Sequence, residues 1–235
     1  MLSPAGVLFD VGYCLMDESA RLRHALVWLR DALVASGHAG SAAGLDAAYR
    51  AACRAPDPGE PSLLVQMLRS LGVPDDTAAA FRRGLPWDAV PLDPYPETVA
   101  VLRRLRAAGF RIGVLANQPA SARADLDRAG ITALCDEVWL SAAVGLAKPD
   151  PAFFMMALEA WALAPARVAY VGDRPDNDVA PAKALGLTTV RLRRGPHAGQ
   201  PPRTEAERAD AEAADLGEAA GHLVAWRMSL GDARE

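Results

Sequence analysis

Five polar residues stand at or near the ends of short apolar stretches, where parallel α/β proteins place ligand-binding groups. Asp10 lies at the end of an apolar run near the N-terminus, and Asn117 follows a second run. Asp173 and Asp178 lie in an acid-rich turn after another run, and Lys148 precedes a proline. Carboxylates hold hard divalent cations, and a lysine balances the charge of a phosphate. These residue types therefore predict a site for a divalent cation and a phosphate group.

The elements that would position these residues alternate along the chain after about residue 91. Runs of strand length and stretches with helical periodicity follow one another there. The predicted strands are residues 6–11, 110–116, 137–140, 168–171 and 188–192, and the predicted helices are residues 96–108, 120–129, 151–163, 177–185 and about 216–228. Strand–helix–strand units of these lengths predict a doubly wound parallel α/β sheet. Because the carboxyl ends of parallel strands meet at one edge, the polar residues are expected to converge there.

The region from about residue 19 to 90 has helical periodicity and no strand signal. Leucines at three- and four-residue spacing include Leu22, Leu26, Leu29 and Leu33. Segments rich in glycine and proline, which would divide the region into three or four helices, are residues 37–40, 56–61 and 72–74. Because the sequences on both sides belong to one sheet, this region is interpreted as an inserted helical domain with its own leucine core.

Four sequence segments, FDVGYCL, PYPETVAVLRRLRAAGFRIGVLANQ, SAAVGLAKPDPAFF and YVGDRPDNDVAPAKALG, occur in a characteristic order. Each is weak evidence alone, but their order and spacing match over nearly the whole chain, to about residue 195. On these residues the chain resembles the haloacid dehalogenase (HAD) superfamily of phosphatases and related hydrolases, in the subgroup with an inserted helical cap. The resemblance implies a Rossmann-like core domain of residues 1–18 and 91–235. It also implies an α-helical cap domain of residues 19–90, which determines substrate selectivity.

The resemblance implies a role for each residue at the sheet edge. Asp10 would be the nucleophile, forming an aspartyl-phosphate intermediate. Asp10, Asp173 and the backbone carbonyl of Gly12 would hold Mg²⁺. Asp178 would bind the ion through water or orient it. Lys148 would balance charge among the nucleophile, the metal and the phosphate.

Three residues depart from the family's pattern. Phosphatases of this group place a second aspartate two residues after the nucleophile, as general acid and then base, where this chain has Gly12. The motif of the second core strand normally ends in Ser or Thr, where this chain has Ala116, although backbone N–H groups around Ala116 and Asn117 would still cradle phosphate oxygens. Cys14 stands where Thr is usual and is interpreted as a small buried residue. The implied function is a Mg²⁺-dependent phosphatase of low activity acting on a small phosphorylated metabolite.

Other interpretations of the same residues stay open. A non-catalytic descendant would keep the metal or phosphate site for binding or regulation. A haloacid dehalogenase is less expected, because those enzymes have a non-acidic residue at the position of Asp173 and need no metal. Asp10 alone could be an N-cap or turn residue, the acids around Asp173 could cap a solvated helix, and Lys148 could be a surface lysine.

Composition limits the partners and the compartment. The chain of 235 residues is 51% hydrophobic with a formal net charge of −4, so it is expected to fold and lacks the basic excess of a nucleic-acid-binding protein. No apolar run reaches membrane-spanning length, and the N-terminus lacks the pattern of a signal peptide. Three widely spaced cysteines are expected as reduced thiols. These features predict a cytoplasmic protein and leave its oligomeric state open. The partner that the resemblance implies is a small-molecule phosphate ester.

Overall fold

The computed structural model describes residues 4–55 and 63–231, which divide into two compact units. The α/β unit falls within Met1–Asp17, Leu92–Ala198 and Pro202–Glu235, and the helical unit falls within Glu18–Pro91 and Gly199–Pro201. Residues Gly199–Pro201 therefore group with the helical unit, although the sequence placed them in the core domain. Among the described residues, no helix combines the length and the apolar character that crossing a membrane requires.

The secondary structure alternates in the α/β unit and is helical in the other. The strands in chain order are β1 (Gly6–Phe9), β2 (Met16–Asp17), β3 (Asp93–Pro94), β4 (Arg111–Ala116), β5 (Glu137–Leu140), β6 (Val168–Gly172), β7 (Thr188–Leu192) and β8 (Ala211–Ala213). The α-helices are α1 (Ser19–Ala35), α2 (Ala39–Ala42), α3 (Leu45–Arg54), α4 (Leu63–Ser70), α5 (Asp75–Gly84), α6 (Thr98–Ala107), α7 (Ala122–Arg128), α8 (Ser141–Val144), α9 (Pro151–Trp161), α10 (Ala180–Ala184) and α11 (Leu216–Gly231). A π-helical turn, Pro175–Val179, precedes α10.

A six-stranded parallel sheet with the order β5-β4-β1-β6-β7-β8 forms the centre of the α/β unit. The chain runs outward from β1 through β4 to β5, returns to β6 on the other side of β1, and runs outward again to β8. This reversal confirms the predicted doubly wound parallel α/β fold. It also opens a crevice beyond the carboxyl ends of β1 and β6, where such sheets bind ligands.

Successive side chains of β1 point to opposite faces of the sheet, and because all of them are apolar, helices cover both faces. Val7 and Phe9 are fully buried in a cluster with side chains of α6, α7 and α11. Leu8, between them, points to the opposite face and joins a second cluster with side chains of α9. A strand buried on both faces reads as a continuous apolar run, as β1 does.

Gly186, whose φ is +89°, ends the helical segment before β7 in a conformation that favours glycine.

Three short strands of the structure were not predicted. The antiparallel pair β2–β3 joins two-residue segments at the points where the chain leaves and re-enters the α/β unit. The three-residue strand β8 pairs with β7 at the sheet edge. Strands this short carry too few residues for an apolar period to be recognised.

The helical unit has its own apolar core. Leu29 and Leu33 of α1 are fully buried against Leu45 of α3 and Met67 and Leu68 of α4. The described residues contain five α-helices in this region, where the sequence predicted three or four, because the short α2 begins within the predicted breaker at residues 37–40. The breaker predicted at residues 56–61 lies outside the described residues.

Candidate active site

Asp10 and Asp173 lie at the carboxyl ends of adjacent strands. Asp10 follows β1 directly, and its backbone N–H donates to the carbonyl of Val171 in β6 over 2.9 Å. Asp173 follows β6 and is only 3% exposed. The reversal of strand order between β1 and β6 therefore places two carboxylates at the mouth of the crevice.

The ammonium of Lys148 lies among these acids. Its Nζ is 2.8 Å from Oδ1 of Asp10 and 2.6 Å from Oδ1 of Asp178. It also donates to the hydroxyl of Tyr170 over 2.7 Å. The side chain of Lys148 is fully buried, so it is not a surface lysine, and its charge acts in a medium of low polarity.

Asn117 holds the backbone of Lys148. Its Nδ2 donates to the Lys148 carbonyl, and its Oδ1 accepts from the Lys148 N–H, each over 2.8 Å. The side chain of Asn117 is therefore committed to Lys148. The phosphate contact predicted from the sequence involves the backbone N–H of Asn117, which these two bonds do not use.

Asp178, within the π-helical turn, uses both of its carboxylate oxygens. Oδ1 accepts from Lys148, and Oδ2 accepts from the backbone N–H groups of Asp173 and Arg174 over 3.1 and 3.0 Å. A Cβ at Gly172 would lie 2.5 Å from Oδ2 of Asp178, so glycine permits this close approach. Asp178 thereby shapes the turn that carries Asp173.

The three carboxylates form a cluster that could hold a metal ion. One oxygen from each of Asp10, Asp173 and Asp178 lies within 4.8 Å of the others. The carboxylate of Asp173 accepts no hydrogen bond from the residues that the structure describes. Among the described residues, Lys148 is the cation that forms ion pairs with this cluster, so the negative charge of the three carboxylates exceeds the positive charge in direct contact with them. Hard oxygen donors with this excess of charge fit a divalent cation such as Mg²⁺.

The pKa values of the carboxyl groups in this cluster reflect the excess of negative charge. Burial, together with the charges of Asp178 and Asp10, raises the pKa of Asp173 well above its ordinary value of 3.8. Burial also raises the pKa of Asp10, against the opposing effect of Lys148. Burial alone would lower the pKa of Lys148, but the carboxylates of Asp10 and Asp178 outweigh it and keep the ammonium charged. The site therefore strongly favours an added positive charge.

We expect Asp173→Asn to stabilise the metal-free protein at neutral pH. Because the folded-state pKa of Asp173 is raised, its contribution to stability is fully present below the unfolded value of about 3.8 and is lost as the pH rises through the folded value. Asparagine does not ionise, so the variant escapes this loss. Thermal unfolding in a chelator should show a melting temperature about 2–8 °C above wild type near pH 8, corresponding to roughly 1–2 kcal/mol.

The same comparison near pH 4 should show little difference, because the aspartate is then protonated in the native protein. Asp176→Asn is the matched control, since the Asp176 carboxylate is paired with Arg174 over 2.7 Å in the same turn. That control should not stabilise the protein at either pH. An Asp173→Asn variant no more stable than wild type near pH 8 would contradict the electrostatic description.

The turn after β1 contains two of the three positions that depart from the expected pattern. Gly12 forms an isolated bridge with Met16, and the positive-φ residues of the described chain do not include it. A residue with a side chain can therefore adopt the backbone conformation found at Gly12. Cys14 is fully buried, as predicted, and its thiol donates to the carbonyl of Val171 over 3.5 Å. Ala116 is buried at the end of β4 and carries no hydroxyl for a phosphate.

Asp10, Lys148, Asp173 and Asp178 are thus brought together, with Asn117 bonded to the backbone of Lys148. Their chemical roles stay predictions. Tyr170 was missed by the sequence analysis, which placed it within a buried strand. Its one sequence signal is a hydroxyl-bearing side chain in an apolar strand that runs directly into Asp173.

Comparisons with known sequences give a consistent result. A family model described as a haloacid dehalogenase-like hydrolase matches residues 39–186. A glyceraldehyde 3-phosphate phosphatase from Methanopyrus kandleri is 36% identical over 122 residues, 52% of this chain and 52% of that protein. A phosphoserine phosphatase from Thermus thermophilus is 40% identical over 102 residues, 43% of this chain and 41% of that protein. The chain thus matches about half the length of these curated relatives.

Solved structures share the fold over nearly the whole chain. A HAD phosphatase from Thermococcus onnurineus has a TM-score of 0.64 and 22% identity, covering 95% of this chain and 98% of that one. A 2-haloacid dehalogenase from Pseudomonas syringae has a TM-score of 0.60 and 23% identity, covering 96% of this chain and 100% of that one. Because a phosphatase and a dehalogenase match comparably, the fold does not choose between their reactions.

Proposed function

The chain belongs to the haloacid dehalogenase-like hydrolases, and from this premise we propose that it is a Mg²⁺-dependent phosphatase acting on a small phosphorylated metabolite. The observation that carries the proposal is the cluster of Asp10 with the buried Asp173 and Asp178, in which the Lys148 ammonium pairs with Asp10 and Asp178. The curated relatives, named as phosphatases, support this reaction class. The helical unit is the proposed determinant of which ester is selected.

Asp10 is the nucleophile of the proposed reaction. One of its carboxylate oxygens forms a bond to phosphorus, while the bond from phosphorus to the ester oxygen breaks and the leaving oxygen takes the electron pair. Water then attacks the phosphorus of the aspartyl phosphate, which releases inorganic phosphate and restores the carboxylate. Gly12 can neither protonate the leaving oxygen nor deprotonate the water, so solvent must exchange these protons and turnover is slow.

Lys148 and its neighbours prepare this reaction. The ammonium lies 2.8 Å from Asp10 and opposes the negative charge that gathers as the carboxylate meets the phosphoryl group. Asn117 fixes the lysine backbone, so the charge stays beside the nucleophile. Backbone N–H groups around Ala116 and Asn117 are the proposed donors to the phosphoryl oxygens.

The acids fit Mg²⁺ by chemistry and by charge. Asp10 and Asp173 are the proposed carboxylate ligands, and the backbone carbonyl of Gly12 is the proposed third protein ligand. Asp178, with both oxygens already bonded, is proposed to orient the ion through water. Bound there, the ion would neutralise negative charge on the phosphoryl oxygens.

Loss of the Asp173 carboxylate should weaken Mg²⁺ binding. Asp173→Ala is expected to raise the dissociation constant about 10–100-fold or more in calorimetric titrations at neutral pH, because a direct ligand is lost. Asp176→Ala, in the same turn but paired with Arg174, should bind within about twofold of wild type. Equal affinity in Asp173→Ala and wild type would remove Asp173 from the proposed metal site.

A screen of phosphate esters tests the function as a whole. We expect hydrolysis of at least one small phosphate ester in Mg²⁺, little hydrolysis in a chelator, and none above background with Asp10→Asn. Haloacids should give no halide release, because Asp173 occupies the position that is non-acidic in the dehalogenases. A screen with no metal-dependent turnover would count against the phosphatase.

The specific observation favouring a second function is Gly12. A chain without the general acid could keep the acid cluster as a metal or phosphate site for binding or regulation. In that case Mg²⁺ would bind with the dependence on Asp173 described above, inorganic phosphate would also bind, and no ester would be turned over. Binding without turnover therefore separates this alternative from the phosphatase.

A further inference from the structure

The three hydrogens of the Lys148 ammonium each have an acceptor in the structure. These acceptors are Oδ1 of Asp10 at 2.8 Å, Oδ1 of Asp178 at 2.6 Å and the hydroxyl of Tyr170 at 2.7 Å. A lysine has three N–H donors and no acceptor, so its capacity is fully used. For Lys148 to donate to a phosphoryl oxygen as well as oppose its charge, the ammonium must give up one of these bonds.

The bond to Asp10 is the one that the reaction itself releases. When a carboxylate oxygen of Asp10 bonds to phosphorus, the side chain loses the negative charge that attracts the ammonium. Asp178 keeps its charge, and its other oxygen stays bonded to two backbone N–H groups. Tyr170 is also unchanged by the reaction. We propose that Tyr170 is a positioning residue that, with Asp178, tethers the Lys148 ammonium while its Asp10 bond passes to the phosphoryl group.

The bonding of Tyr170 suits a fixed tether. Because Lys148 can only donate, the Tyr170 oxygen must accept from it and turn its own hydrogen elsewhere. The Leu115 carbonyl accepts that hydrogen at 2.9 Å, whereas Oδ1 of Asp178 is farther away, at 3.4 Å. Leu115 lies in β4, one residue before Ala116. Tyr170 thus links the lysine to β4 and β6 together.

The tyrosine ring is held independently of its hydroxyl. It is 1% exposed and packs edge-on against Phe154, with 5.2 Å between the ring centroids. Phenylalanine would fill the same space and keep this packing. Tyr170→Phe therefore removes one acceptor from the Lys148 ammonium with little change of shape.

Thr189 provides a matched control. It is the residue paired with Tyr170 in the neighbouring strand, and its buried hydroxyl donates to Asp210 over 2.9 Å rather than meeting Lys148. Thr189→Val removes a buried hydroxyl at the same level of the sheet. Both variants are expected to lower the melting temperature, and only Tyr170→Phe should alter catalysis.

The test is a kinetic double-mutant cycle with an activated aryl phosphate in Mg²⁺. We expect Tyr170→Phe to lower kcat about tenfold with KM within about threefold of wild type, and Thr189→Val to leave both within about twofold. In a Lys148→Met background, Tyr170→Phe should lower kcat hardly any further, because Tyr170 is proposed to act on catalysis only through the Lys148 ammonium. Equal kcat in Tyr170→Phe and Thr189→Val, or an undiminished loss in the Lys148→Met background, would overturn the proposal.

The proposal rests on the proposed function, so a second measurement separates the two failures. Absence of turnover in wild type would count against the phosphatase and would leave the tether to be judged by crystallography. Crystals of Tyr170→Phe soaked with Mg²⁺ and vanadate, a phosphoryl mimic, should show the Lys148 Nζ displaced or in alternate positions. A single Nζ position at its wild-type place, about 3 Å from both Asp178 and the vanadate, would overturn the tether.

Discussion

Replacing Asp10 by asparagine is expected to lower kcat for phosphate ester hydrolysis by about 10⁴-fold or more, because no other residue is proposed as the nucleophile that attacks phosphorus. The amide oxygen can still accept from Lys148, whose Nζ lies 2.8 Å from Oδ1 of Asp10. The substitution thus removes the nucleophile and largely keeps the shape of the site. Steady-state turnover of an activated aryl phosphate in Mg²⁺ measures the loss.

A second readout reports the covalent intermediate directly. Wild-type protein quenched during turnover should carry one phosphate in its intact mass, and Asp10→Asn should carry none. Without a base at position 12, hydrolysis of the aspartyl phosphate is slow, so the wild-type adduct should accumulate. Its absence at early times, together with substantial activity in Asp10→Asn, would place the nucleophile elsewhere.

Asp150→Asn is the matched control for this experiment. Its carboxylate caps α9 by accepting the Ala152 N–H over 2.9 Å, and it is outside the acid cluster. Asparagine caps helices as well as aspartate does. This variant should keep kcat within about twofold, which would show that the Asp10→Asn loss reflects the missing nucleophile.

The convergence of Asp10 and Asp173 could be predicted from the sequence, because the prediction requires only the order of strands and helices along the chain. Once β1 and β6 are identified as parallel strands, Asp10 and Asp173 must lie at the same sheet edge. Lys148 stands between elements rather than at a strand end, so the order of the strands alone does not require it to lie at this edge, and its role came from the resemblance to a known family. The fold itself was equally accessible, since the buried strands are short continuous apolar runs and the helices between them have a clear helical periodicity.

Tyr170 could not be assigned in the same way. In the sequence it belongs to a buried strand, where a tyrosine is ordinarily a core residue with one polar atom to satisfy. The contact of its hydroxyl with Lys148 depends on the rotamer of Lys148 and on the pairing of β6 with β1. The other partner of the hydroxyl, the Leu115 carbonyl, lies in β4, on the far side of β1. Contacts between side chains so distant in sequence leave no local pattern.

The start of the helix after Asp173 was also mispredicted, for a related reason. A helix was expected from residue 177, and the structure instead has a π-helical turn, Pro175–Val179, before α10. In this turn Asp178 accepts the N–H groups of Asp173 and Arg174. Local propensity favoured a regular helix, but the wider turn directs the Asp178 carboxylate back to the site.

The absence of an acid at position 12 should make hydrolysis depend strongly on the leaving group. A positioned acid–base group typically contributes about 10²–10⁴-fold, or roughly 3–5 kcal/mol of barrier. An aryl oxide with a low pKa leaves without a proton, whereas an alkoxide needs one. The ratio of the hydrolysis rate of an activated aryl phosphate to that of an alkyl phosphate is therefore expected to be far larger for the wild-type protein than for an enzyme that has the acid. Rates of phosphoenzyme formation for a series of leaving groups measure this dependence.

Gly12→Asp is expected to raise alkyl phosphate turnover by about 10²–10⁴-fold and to narrow the gap between alkyl and aryl substrates. The backbone permits the substitution, because Gly12 is absent from the positive-φ residues of the described chain. Gly12→Asn is the matched control, since it has the same size and cannot transfer the proton. Both variants must first unfold at a temperature near that of wild type and bind Mg²⁺. If Gly12→Asp then turns over alkyl phosphate no faster than Gly12→Asn and Asp10→Asn, the missing acid is not the limiting defect. The site would then be better explained as a binding site inherited from an enzyme, because restoring the proton donor would not have restored turnover.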